Sequence, residues 1–185
     1  MDSYKEIAAK SSVRQLQEGQ HYQLVDNPGS AASYNCSFTW KINQVQQKRM
    51  YNLYSKPFYT EKNGSGYKMR LFLYMDGDGS GQGTHISFYA ALMRGEHDAQ
   101  LPWPFRQKVK LILVSQDQQK QDIEQWFQPD PVEFDGSFWQ PSQHCDNITN
   151  VGFGSQEFAP LSVLDDPAYV ENDTMILKCI IDSYY

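Results

Sequence analysis

The chain has 185 residues, with 16 basic and 22 acidic side chains, a formal net charge of −6, and 14% aromatic residues that include 12 tyrosines and 10 phenylalanines. That balance, with no basic run longer than Lys48-Arg49, argues against nucleic acid and anionic membrane as partners, since both need concentrated Lys and Arg. The aromatic and β-branched enrichment favours sheet over helix, and no segment approaches the roughly 20 apolar residues of a membrane span.

Residues 3 to 18 have helix-forming composition, with Tyr4, Ile7, Ala8, Val13 and Leu16 as a sparse apolar stripe. A helix this short needs packing or self-association to persist in water. The segment DNPGSAAS at 26–33 reads as a linker. We therefore expect an N-terminal helix and linker over 1–33 and a folded domain over 34–185. From SFTWKI onward the hydrophobic period becomes two, and the pattern predicts strands at about 38–45, 50–55, 66–75, 84–93, 107–114, 123–127, 156–158 and 174–182. Short alternating strands with no long helix between them predict an all-β fold, an antiparallel β-sandwich of about eight strands. Pro102 and Pro104 in LPWPF exclude helix and central strand alike, and predict a rigid approach to the strand KVKLILV.

The stretch LYMDGDGSGQGTHISFY at 73–89 admits three readings. As a calcium loop starting at Asp76 it places Asp78, Ser80 and Gly81 correctly, but Ser87 falls where a bidentate glutamate is required, and the flanks alternate like strands. As a phosphate loop it fails because Gly77, Gly79, Gly81 and Gly83 recur at every second residue and no helix follows. A glycine-rich hairpin tip remains.

Catalytic chemistry finds few candidates. His21, His85, His97 and His144 are scattered, only His144 adjoins a thiol, Cys145, and neither G-x-S-x-G nor H-E-x-x-H occurs. Cys36, Cys145 and Cys179 form no C-x-x-C pair and read as reduced thiols. We expect no catalytic residue, no metal and no cofactor. The opening MDSYKEIAAKSS lacks the apolar stretch of a secretory signal and reads as cytosolic. Sequons at Asn35, Asn63, Asn147 and Asn172 are the counter-signal, and with DGDGSG they keep a secreted carbohydrate- or calcium-binding sandwich as a competing class. A binding module is the stronger class, because a sheet edge accepts an extended peptide as an extra strand. In NVGFGSQEF at 150–158, Gly152 and Gly154 lower the steric barrier to another backbone. Phe153 either walls such a site or joins the core.

Five segments, SFTWKI at 37–42, SKPFYT at 55–60, GYKMRLFLYMDGDGSGQGTHISF at 66–88, MRGEHDAQLPWPFRQKVKLILVSQ at 93–116 and NDTMILKCIID at 172–182, together resemble the C-terminal TRAF domain of the tumour necrosis factor receptor-associated factors, a branch of the MATH superfamily. The resemblance implies an eight-stranded sandwich, a homotrimer formed through an N-terminal coiled coil, and capture of short peptides along a sheet edge. Its implied partners are cytoplasmic tails of TNF-receptor-like or Toll/interleukin-receptor-pathway proteins and their adaptors. Such domains are not enzymes, and any ubiquitin-ligase activity would belong to a RING region outside this chain. The alternative within the superfamily is a monomeric substrate-recognition module of a ubiquitin ligase. By resemblance the peptide-binding positions are Tyr74, Asp78, Gly79, Tyr89, Leu111, Phe127, Ser137, Phe138, Gly152, Phe153, Gly154 and Ser155. Phe72 stands where family members have arginine, Gln128 replaces a basic residue, and Asp135, Gly136 and Ser137 occupy the place of a serine triplet. Losing charged pairings at such positions is enough to change which ligand wins.

Overall fold

A computed structural model describes residues 18–25, 33–130 and 151–182. The expected helix at 3–18, save its last residue, and the linker at 26–33, save Ser33, lie outside the described residues. Eleven strands occur among the described residues: β1 (Gly19–Val25), β2 (Ser33–Asn43), β3 (Asn52–Tyr54), β4 (Phe58–Tyr59), β5 (Lys68–Tyr74), β6 (His85–Met93), β7 (Lys108–Leu113), β8 (Ile123–Phe127), β9 (Phe153–Pro160), β10 (Val170–Glu171) and β11 (Thr174–Asp182). A single helical turn, α1 (Val45–Lys48), follows β2.

The strands form two antiparallel sheets. One has the order β1-β2-β11-β7-β8, with β10 hydrogen-bonded to β11, and the other the order β3-β5-β6-β9, with β4 hydrogen-bonded to β5. Each of the eight expected strands has a counterpart, and β1, β4 and β10 are additional. The sandwich also begins earlier than expected. Strand β1 lies within the stretch assigned to helix and linker, yet it pairs with β2 from Gly19 opposite Thr39 to Val25 opposite Ser33. Its sequence GQHYQLV has little apolar alternation, so its pairing with β2 was not visible in its own pattern.

Period-two alternation sets which side of each strand is buried. Phe38, Trp40 and Ile42 of β2, Met69, Leu71 and Leu73 of β5, and Leu177, Cys179 and Ile181 of β11 all belong to one buried cluster between the sheets. Phe38 stacks on Phe58 with ring centroids 4.4 Å apart, which joins the two layers. Burying each such side chain contributes about 1.5–3 kcal/mol. A slip of one residue would turn every one of them outward. Cys36 and Cys179 are free and buried, and burial pushes the Cys36 thiol up to about 12 and the Cys179 thiol well above its ordinary value. Cys145 and His144 lie outside the described residues.

The connection between β6 and β7 carries RGEHDAQLPWPF. Asp98 accepts the Gly95 amide at 2.9 Å through its carboxylate and the Trp103 indole N–H at 2.7 Å through its carbonyl. Tyr67 donates its hydroxyl to the Pro102 carbonyl. The same tyrosine ring meets Trp103 and Phe105 edge-on, at 5.0 and 4.8 Å. Phe105 is fully buried and its ring lies 6.4 Å from that of Phe153. The loop thus braces the start of β9, the strand at the site.

Candidate functional site

The connection between β5 and β6 is the hairpin tip read from the sequence, with strands on both flanks and one 3₁₀ turn, Gly79–Gly81, at its centre. Backbone bonds from Gly81 to Asp78 (3.0 Å) and from Gly83 to Asp76 (2.8 Å) close the loop on itself. A second set ties it to β9. The Ser87 hydroxyl accepts the Asp78 amide at 2.7 Å and donates to the Gln156 carbonyl at 2.5 Å. Gln156 accepts the Ser80 amide and hydroxyl at 3.2 and 3.1 Å through its side-chain oxygen. At Gly81 the approach leaves no room for a side chain: a Cβ there would stand 1.9 Å from the Gln156 carbonyl oxygen.

A bulge makes that contact. Ile86 faces Ala159, but Phe88 faces Ser155, so β9 carries extra residues across that step. The surplus turns the Gln156 carbonyl toward the tip and bends the strand, as bulges do. Beyond the bulge the pairing resumes with Tyr89 opposite Gly154 and Ala90 opposite Phe153. A Cβ on Gly154 would lie 2.1 Å from the Phe88 carbonyl oxygen, so the two backbones meet where only glycine fits.

On the outer face of this sheet, Tyr54, Phe72 and Tyr89 stand in one cross-strand row, with Tyr54 paired to Phe72 and Phe72 to Tyr89. Tyr54 meets Phe72 edge-on at 5.1 Å, and Tyr74 meets Tyr89 edge-on at 5.8 Å. Such pairs prefer this geometry and hold one another in place. Above them is a cavity of about 290 Å³ lined by Phe72, Tyr74, Asp78, Tyr89, Val151 and Gly152. The Tyr89 hydroxyl donates to the Asp78 carboxylate at 3.3 Å. Burial, then the Asp78 charge and this hydrogen bond, push the Tyr89 phenol up to about 12. Burial, then Tyr54 and Asp78, raise the Tyr74 phenol. Both phenols stay protonated at neutral pH and can donate hydrogen bonds.

The structure brings Tyr74, Asp78, Tyr89 and Gly152 together in this cavity. Gly79 sits on the adjoining tip against the Gln156 side chain, and Gly154 and Ser155 follow along β9 opposite Tyr89 and Phe88. Three expected positions lie elsewhere. Phe153, one of two alternatives from sequence, is buried and belongs to the core. Leu111, expected as a pocket wall, is fully buried on β7 of the other sheet, because its place in the alternation points it between the layers. Phe127 is half-buried at the end of β8, packed on the core and not on the cavity. Ser137 and Phe138, with Asp135 and Gly136, lie outside the described residues. Sequence reasoning missed Val151, which is 59% exposed at the rim, and Tyr54 beside Phe72. The alternation of β5 places Phe72 and Tyr74 on one face, which was the available signal for an aromatic floor.

Two facing antiparallel sheets, with a bulged strand that ends one sheet among the described residues, define an antiparallel β-sandwich domain. The chain belongs to the TRAF/MATH family: residues 50–178 match the family model described as TRAF/meprin, MATH domain. It is similar to TNF receptor-associated factor 1 of Mus musculus, at 45% identity over 161 residues, which are 82% of this chain and 37% of that protein. It is also similar to TNF receptor-associated factor 5 of Homo sapiens, at 37% identity over 158 residues, which are 80% of this chain and 27% of that protein. The chain therefore spans between 27% and 37% of the length of these two relatives. The solved structure of Notothenia coriiceps TRAF5 aligns with a TM-score of 0.73 at 37% identity, covering 80% of this chain and 74% of that one. Among the described residues no helix is long and apolar enough to cross a membrane.

Proposed function

We propose that this domain is a cytosolic signalling adaptor module that receives short extended peptides from receptor tails or their adaptors, in the cavity beside β9. The observation that carries the reading is the cavity itself. Aromatic rings, one carboxylate and one glycine meet next to β9, the strand that ends the order β3-β5-β6-β9 among the described residues. An added peptide strand gains backbone hydrogen bonds at such an edge, while alternate side chains enter the pocket. At the other end of β9, Gln125 of β8 reaches the Phe158 carbonyl at 3.5 Å, and the reading puts docking at the Gly154–Ser155 end, beside the cavity. Membership of a family whose matched relatives are named TNF receptor-associated factors supports receptor tails as the source of the peptide.

One small site binds weakly, with a dissociation constant of about micromolar to millimolar, and trimerisation of the whole protein raises the apparent affinity roughly 10²–10⁴-fold toward clustered partners. Titration of monomeric and trimerised receptor-tail peptides checks both parts. Tyr74→Ala should abolish binding, and Trp126→Ala, at an exposed ring on the other sheet, should leave it intact. Binding that survives Tyr74→Ala would move the site elsewhere, and equal affinity for both peptide forms would remove avidity.

A further inference from the structure

We propose that the cavity selects a cationic side chain, lysine or arginine, from the extended peptide it holds, with Asp78 as counter-charge and the Phe72, Tyr74 and Tyr89 rings as the walls around its head and stem. The inference deepens the peptide-binding reading and rests on it. Among the six lining residues the only charged group is Asp78. Its neighbour Tyr89 donates to it at 3.3 Å, a long contact that leaves most of a carboxylate's acceptor capacity open to a guest. The nearest basic residue along the same face of β5 is Arg70, two positions before Phe72, and its Nε is committed to the Ser55 carbonyl at 2.8 Å. The phenols report the same field. Asp78 raises both Tyr74 and Tyr89.

An aromatic cage with one acid at its rim has the chemistry of a cation site. Ring faces attract an ammonium or guanidinium group, and the attraction grows as water is excluded. The long alkyl stems of lysine and arginine cover apolar surface while their heads reach the carboxylate. A carboxylate or phosphate guest would instead meet Asp78 with no lining cation to offset the repulsion. The chain's net charge of −6 adds a long-range pull in the same direction.

A positional-scanning library of acetylated, amidated ten-residue peptides tests this on the protein and on Asp78→Asn and Val151→Lys variants. Lysine and arginine should be enriched at one position, with at least about tenfold preference over glutamate at low salt and less at high salt. Asp78→Asn should bring that preference to within about twofold, with the tip still ordered because the Asp78 contact to Ser87 is made by its backbone amide. Val151→Lys, which adds a cation at an exposed rim position, should shift the preference toward glutamate. Enrichment of acidic residues, or a charge preference unchanged in Asp78→Asn, overturns the inference and leaves the peptide reading standing. A library from which nothing is retained overturns both.

Discussion

The two connections at opposite ends of β6 do different work by different means. The one leading to β7 is held by rings: Tyr67, Trp103 and Phe105 interlock, and Asp98 fixes the backbone beneath them. The one arriving from β5 has glycine at four of its positions and is held by main-chain and hydroxyl contacts to a bulge in β9. The first joins the core and the second shapes the cavity. The long family-specific motif therefore marks a brace, while the plainer tip carries a lining residue of the candidate site.

That contrast can be broken from either side. The largest expected effect is Phe105→Ala, which empties a fully buried aromatic position behind β9 and should cost about 3–5 kcal/mol in urea unfolding. Gly81→Ala comes next, at about 1–3 kcal/mol, because the added methyl meets the Gln156 carbonyl and the tip has to move off β9. Ser87→Ala should cost about 1–2 kcal/mol, since the Asp78 amide and the Gln156 carbonyl both lose a buried partner. Its signature is loss of amide-exchange protection confined to the tip and the bulge, and protection lost across the whole domain would show that the two ends of β6 are not separable.

The smallest effect is alkaline. Burial first, then nearby carboxylates, raise Tyr67 at the brace and Tyr89 at the cavity to about 12 in the folded protein, from an ordinary value of 10.0. The folded state then holds protons that the unfolded chain releases, so stability is undiminished below pH 10 and falls as the pH climbs toward 12. Tyr67→Phe and Tyr89→Phe should each flatten part of that slope in melting curves taken across this range. A slope unchanged in both would assign it to other groups.

Most of the fold was legible because apolar residues recur at every second position of β2, β5, β6, β7 and β11, so that one face of each strand is buried throughout, although much of the other face of β6 is buried too. Strand β9 was read as a three-residue piece because Gly154 breaks the apolar pattern that the bulge then resumes at Phe158. The cavity was legible in part. Tyr74, Asp78 and Tyr89 were found through the resemblance, and the alternation of β5, which turns Leu71 and Leu73 into the core, was the signal that puts Phe72 on the opposite face with Tyr74. Leu111 went the other way: an apolar residue on an alternating strand belongs to one face only, and its partner Gln125 on β8 shares that face with Ile123, which packs against the core. Val151 was out of reach of pattern reasoning, since its exposure depends on where the chain enters β9.

Cys36 on β2 and Cys179 on β11 sit on neighbouring strands, sealed between the layers. An alkylating reagent can reach them only when those layers separate, so in a Cys145→Ser background the pace of thiol labelling becomes a clock for the breathing of the whole sandwich. A guest seated in the cavity should slow that clock in proportion to how tightly it is held, which gives a way to rank ligands without a label on any of them.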